Sequence, residues 1–359
     1  YVVDTNGDGR NEVIFRNAIG QLLNLDPVTA TQQLSPRVNW AWGVALPGFW
    51  HPLNLDNAGL WEYPIIDTSQ APTYTLKLMT KNPNGGTENV LGSFVFPNVA
   101  SWLDLYAVGQ FDGTGYDDII MGYSGYLFNG PVRALSWTGS ALSSLWSQLY
   151  WTLNSRPGAV GQANGDAAED VAWMPGYARA IINGANGSLL ASSGMDVIAQ
   201  PIAANLDADS TLEVIFAAPG DGIFHVAEFS SAFTLVFTRQ IIGSHFAIGT
   251  VAEVSLSEPG LEIVYRTQNG VLGTMSGIDG SDIYTRGLGV DFVLGTCQSI
   301  PSQPRVYPGP QVPFYESACP GAMRLANLND LVVADIDNDN RDEILAASAN
   351  GYLYALNAE

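Results

Sequence analysis

Along the chain, short apolar runs are followed by acidic loops and then by runs rich in β-branched residues. The clearest copies are VVDTNGDGRNEVIF, from Val2 to Phe15, and VVADIDNDNRDEILAAS, from Val332 to Ser348. The same order recurs as VGQFDGTGYDDIIMG from Val108, VGQANGDAAEDVAWM from Val160 and AANLDADSTLEVIFAAP from Ala203. Two copies are more diverged, LNLDNAGLWEYPII from Leu53 and VAEVSLSEPGLEIVY from Val251. In the last copy Asn350-Gly351 is a strong two-residue hairpin signal. Beyond it Tyr352, Tyr354 and Leu356 alternate with Leu353 and Ala355, the period of a strand. Each unit therefore predicts strand, acidic loop, strand, tight turn, strand, with a fourth outer strand in the complete units. No segment carries a capped 3.6-residue apolar period, so helix is expected to be scarce.

Aligned on the first loop residue, the copies begin at Asp4, Asn54, Gln110, Gln162, Asn205, Glu253 and Asp335. A strand-rich period near 50 residues points to propeller blades rather than β-helix coils. The expectation is one seven-bladed β-propeller over residues 1–359, with repeats starting near 1, 51, 107, 159, 202, 250 and 331. Residues 287–330 break the period with a Pro-rich insertion that carries Cys297 and Cys319. The third strand of the last unit, at Tyr352–Leu356, is expected to keep an open edge that a segment of another copy, or residues trimmed from this one, joins by strand addition.

The acidic loops suggest a cation. In the first, Asp4, Asn6, Asp8 and Glu12 alternate around Gly9, so their oxygens can converge while glycine lets the chain double back. A hard cation taking six to eight oxygens suits such a loop, and calcium fits it better than strictly octahedral magnesium. The competing reading is a set of acidic β-turns with self hydrogen bonds. The seventh loop offers Asp335, Asp337, Asp339 and Glu343, and the fifth Asn205, Asp207, Asp209 and Glu213. The fourth has Gln162, Asn164, Asp166 and Asp170, and the third Gln110, Asp112, Thr114 and Asp118. Ala58 interrupts the second loop, and the sixth (Glu253, Ser255, Ser257) is one residue longer, so both are expected to be empty or weak. About five calcium ions are thus expected.

Charge and composition narrow the function. The 359 residues carry 35 acidic and 14 basic side chains, a net charge of −21, with Lys77 and Lys81 the sole lysines. Nucleic acid and anionic membrane surfaces, which need clustered cations, are excluded as direct partners. No apolar run reaches the length of a membrane span. The chain opens at Tyr1, which predicts a processed product whose leader has been removed.

The loops resemble the FG-GAP/VCBS repeats of integrin-type β-propellers, most closely in GQFDGTGYDDIIMG from Gly109 to Gly122. The resemblance spans all seven units. It implies calcium loops between the first and second strands of a blade, with the carbonyl at loop position seven as a further ligand. Those carbonyls are Arg10, Tyr116, Ala168, Thr211 and Arg341. In an extracellular calcium protein a Cys297–Cys319 disulfide is expected.

Catalytic signatures are sparse. His51, His225 and His245 are the three histidines, and no HExxH pair, G-x-S-x-G elbow or phosphate loop occurs. All nine tryptophans fall at or before Trp173, and most are expected to fill the space between blades. Trp40, Trp42 and Trp50 lie in a long connection and are the candidates for an exposed ligand face. The expected function is a secreted or cell-surface, calcium-stabilised, non-catalytic module for adhesion, binding or assembly, with other copies or surface proteins, or glycans, as partners. The alternative is a carbohydrate-directed protein, either a lectin or a calcium-dependent polysaccharide lyase.

Overall fold

The computed structural model describes residues 2–3, 12–16, 22–25, 32–34, 53, 55, 62–67, 69–70, 72–80, 89–97, 102–124, 129–151, 156–174, 178–195, 201–207, 209–218, 223–241, 246–256, 259–267, 271–287, 331–334, 341–347 and 353–356. None of these forms a helix, so none offers one long and apolar enough to cross a membrane. The chain divides into two compact units, Tyr1–Met195 and Asp196–Glu359.

The described residues of the first unit form four antiparallel sheets. Strands β1 (Val2–Val3), β2 (Glu12–Arg16), β3 (Leu22–Leu25) and β4 (Gln32–Leu34) form one. Strands β5 (Glu62–Asp67), β6 (Tyr74–Thr80) and β7 (Asn89–Phe96) form the next. The third comprises β8 (Trp102–Gly109), β9 (Asp118–Ser124), β10 (Asn129–Trp137) and β11 (Leu142–Trp151). The fourth comprises β12 (Arg156–Gly161), β13 (Asp170–Met174), β14 (Ala178–Ile182) and β15 (Leu189–Met195). In the second unit β16 (Ile202–Ala204), β17 (Glu213–Ala218), β18 (Ile223–Glu228) and β19 (Leu235–Gln240) make one sheet. Strands β20 (Phe246–Ala252), β21 (Glu262–Thr267), β22 (Val271–Ser276) and β23 (Asp282–Gly287) make another. Strands β24 (Leu331–Ala334), β25 (Glu343–Ala347) and β26 (Leu353–Leu356) complete the unit. Every sheet is a meander in chain order, and among the described residues β26 pairs on one side, with β25.

Strand position decides the burial pattern. Second strands are covered on both faces, so β9 buries Ile119, Ile120 and Met121 in succession and β17 buries Val214, Ile215 and Phe216. Such strands read as unbroken apolar runs rather than alternating ones. The outer strand β19 has solvent on one side and leaves Leu235 and Val236 exposed.

Neighbouring sheets pack through shared cores. Leu76, Leu78 and Phe96 of the second sheet meet Ile119, Met121, Leu135 and Trp137 of the third. Tyr106, Ile120 and Trp146 of the third meet Val171, Trp173 and Ile182 of the fourth. In the second unit Ile215 and Val226 pack with Ile263 and Met275, while Val264 and Leu272 pack with Ile344. Trp137, Trp146 and Trp173 are interior residues. Trp40, Trp42, Trp50, Cys297 and Cys319 lie outside the described residues.

One close approach needs glycine. A Cβ on Gly184 would lie 1.8 Å from the carbonyl oxygen of Glu169, and Trp146 Nε1 donates to the Gly184 carbonyl at 2.6 Å. Both partners are fixed by the packed sheets, so neither can yield. Gly184→Ala is expected to destabilise the protein by about 3 kcal/mol, read from urea denaturation of the two proteins side by side.

Candidate metal centre

Three acidic loops are described in full or nearly so: Gln110–Asp118 between β8 and β9, Gln162–Asp170 between β12 and β13, and Asn205–Glu213 between β16 and β17. Asp4, Asn6, Asp8, Arg10, Asp335, Asp337 and Asp339 lie outside the described residues. Glu12 begins β2, and the buried Glu343 begins β25 beside Arg341.

The acid that closes each loop also holds the loop's backbone. Asp118 Oδ2 accepts from the Phe111 and Asp112 amides at 2.8 and 2.9 Å. Asp170 Oδ2 accepts from Ala163 N at 2.9 Å, and Glu213 Oε2 from Leu206 N at 2.6 Å. The two ligand-poor loops keep the same bond. Glu62 Oε2 accepts from Leu55 N at 2.9 Å, and Glu262 Oε2 from Val254 N and Ser255 N at 2.8 and 3.3 Å. These five acids are all at most 1% exposed. The expectation based on oxygen count alone missed this second role.

Burial of so much like charge raises the affinity of these groups for protons. Desolvation, then the neighbouring Asp112, pushes Asp118 up to about 6. Desolvation pushes Glu213 up to about 7, with Asp207, Glu228 and Asp209 adding to the effect. Glu262 is also pushed up to about 7, chiefly by desolvation and further by Glu253. A cation held among them would relieve the same penalty.

The fifth loop converges best. Ligand oxygens of Asp207, Asp209 and Glu213 lie within 4.8 Å of one another. Among the described residues, Glu213 Oε1, Asn205 Oδ1 and, in the third loop, Asp118 Oδ1 are buried and accept no hydrogen bond. Buried oxygens without donors are costly unless something electropositive meets them. The donor set, all oxygen and mostly carboxylate, suits calcium.

The other loops lean more on internal bonds. Thr114 Oγ1 donates to Asp112 Oδ1 at 2.6 Å, and Asp112 Oδ2 also accepts from Ser136 Oγ at 2.6 Å. Gln162 Nε2 donates to the carbonyls of Asp166 and Ala168, while its Oε1 accepts from Asn164 N and Gly165 N. Gln162 thus shapes its loop, and the Ala168 carbonyl is already engaged. In the fifth loop Thr211 N and Oγ1 both donate to Asp209 Oδ1. Tyr116 is half-buried in the third loop.

Adjacent loops are clasped together. Gln110 N donates to Glu169 Oε2 at 2.6 Å, and Glu169 N donates to the Gln110 carbonyl at 2.9 Å. The pattern repeats in the second unit, where Glu253 N donates to Asp342 Oδ2 at 3.3 Å and Asp342 N to the Glu253 carbonyl at 2.8 Å. In each case the residue before a closing acid grips the first residue of the preceding loop. Among the histidines, His225 has Nδ1 2.9 Å from Thr238 Oγ1 on the outer strands, and His51 and His245 lie outside the described residues.

Residues 321–359 match the family model described as the lambda-carrageenase beta-propeller domain. Comparison with curated proteins found no match. Among solved structures, the chain resembles BBS1N, crystallised in complex with ARL6DN, at a TM-score of 0.55 and 12% identity over 100% of this chain and 91% of that one. It also resembles Sqt1 of Saccharomyces cerevisiae at a TM-score of 0.51 and 11% identity, over 98% of this chain and 86% of that one. The fold is all-β and propeller-like, with multiple four-stranded antiparallel sheets.

Proposed function

We propose that the chain is a seven-bladed, calcium-stabilised β-propeller that acts outside the cell as a binding or assembly module rather than a catalyst. The observation that carries this reading is the buried, donorless carboxylate oxygen at the end of the described loops, in Asp118 and Glu213. An isolated buried carboxylate would neutralise or find a partner, and calcium supplies one. Asn205, Asp207, Asp209 and Glu213 with the Thr211 carbonyl are the strongest set. The loops opening at Asp4, Gln110, Gln162 and Asp335 supply the other sites by their matching pattern. A binding role also accords with the protein partner named in the BBS1N structure.

Calorimetric titration of EDTA-treated protein with calcium tests the reading. Several sites are expected, one of which disappears in Asp207→Asn/Asp209→Asn. A flat titration would end it.

A carbohydrate-directed role is the second reading, favoured by the match of residues 321–359 to a propeller model named for a carrageenase. Binding on a glycan array without unsaturated uronate products would mark a lectin. Appearance of those products would mark a lyase.

A further inference from the structure

The third sheet carries a half-buried cation midway along its strands. Arg133, in the middle of β10, is half-buried, and its guanidinium carbon lies 5.9 Å from the centroid of the Phe94 ring on β7. Two other basic side chains of the outer strands are neutralised, Lys77 by Asp67 at 2.6 Å and Arg239 by Asp282 at 2.5 Å. Arg133 has no carboxylate partner among the described residues, and its buried Nε donates to nothing. In a chain of net charge −21, a half-buried arginine with no acid among the described residues can take an anion from outside.

Its surroundings are amphipathic. Phe94 packs edge-on to Phe96 with centroids 5.1 Å apart, and Phe96 meets Tyr123 at 6.1 Å. Tyr123 Oη donates to the Pro97 carbonyl at 3.1 Å, which fixes its ring beside Arg133. On the outer strand, Ser147 is the direct partner of Arg133, and Leu149 is the partner of Pro131. Strand alternation therefore places the exposed Ser147 and Leu149 on the Arg133 face, where Leu149 is 69% exposed. A guanidinium fork, a hydroxyl, two aromatic rings and an uncovered leucine occupy one small area.

We propose that this patch binds a pyranose unit carrying an oxyanion, a carboxylate or a sulfate ester. The fork of Arg133 takes the anion in two parallel hydrogen bonds, Ser147 reaches a ring hydroxyl, and the apolar ring face lies on Leu149 and the aromatic rims. A sugar presents an apolar face and a polar edge within a single ring. The net negative charge disfavours a densely acidic peptide. This inference rests on the reading of the chain as a binding module and names its ligand class, independently of whether the loops hold calcium.

Calorimetry of the whole chain with oligogalacturonate and with a sulfated galacto-oligosaccharide tests it, with the neutral galacto-oligosaccharide and a phosphopeptide as controls. At least one anionic saccharide should bind, and Arg133→Gln should weaken it about tenfold or more, with Arg133→Lys in between. Arg286→Gln, on the exposed face of β23, should change nothing. Thermal melts of each variant separate lost folding from lost binding. Equal affinity in wild type and in a folded Arg133→Gln overturns the site while leaving a carbohydrate role standing. Equal affinity for the neutral sugar, or binding of the phosphopeptide alone, overturns the ligand class. No saccharide binding at all overturns both.

Discussion

In millimolar calcium the protein is expected to melt about 10 °C higher than after chelation. Extracellular calcium sites bind with dissociation constants of about 10⁻⁴–10⁻³ M. At tenfold excess each contributes about 1.4 kcal/mol, so five independent sites give about 7 kcal/mol. Spread over the unfolding entropy of a chain this long, that amounts to about 10 °C. The effect should depend on pH. Without calcium, folded Glu213 and Glu262 hold protons up to about 7, whereas a glutamate in the unfolded chain releases its proton near 4.5. Between those values the folded state binds more protons than the unfolded one, so stability is highest below the lower value and declines towards the upper. Asp118, pushed up to about 6, acts in the same direction. Calcium bound at the third and fifth loops would displace the protons of Asp118 and Glu213, so chelation should cost more at about pH 8 than at about pH 5. Calorimetric melts with and without EDTA at both pH values measure this, and identical curves at the higher pH would refute it.

Glu262→Ala is expected to cost about 4 kcal/mol whether or not calcium is present. The substitution strips the acceptor from two buried amides, Val254 N and Ser255 N, and each orphaned donor costs about 1–3 kcal/mol. Glu262→Gln keeps an acceptor oxygen and removes a charge that burial penalises, so its neutral-pH melt should equal or exceed that of wild type. Glu213→Gln should instead remove one calcium site from the titration while preserving the fold. Together the variants separate the acid's two roles. A wild-type melt for Glu262→Ala would show that the acid does not hold its loop.

The strand meanders and their acidic connections were legible because apolar runs, Gly-rich turns and loop acids all recur at one spacing. The interior placement of Trp137, Trp146 and Trp173 was legible for a similar reason, since their strands are largely apolar. The hidden part depends on directions in space. That Glu62 and Glu262 hold amides seven or eight residues upstream follows from where the loop backbone points, which residue type does not encode. The clasp from Glu169 to Gln110 joins residues 59 apart, and the meeting of Arg133 with Phe94 depends on two sheets packing face to face. Gln162 was expected as a ligand, and the loop hydrogen bonds its amide also makes are ones that a count of oxygens cannot anticipate.

The closing acid has a consequence for how such chains diverge. Because Glu62 and Glu262 accept from backbone amides of their loops, that hold does not depend on which side chains occupy the other ligand positions, where the second loop has Ala58. A duplicated repeat can therefore drift one substitution at a time from metal-bearing to metal-free without an unfolded ancestor in between. Its freed loop becomes raw material for new surfaces, while its neighbours keep their oxygen-rich pattern. Mixed arrays of worn and intact repeats are the natural outcome, and the second and sixth loops here have the form of two such lapsed copies.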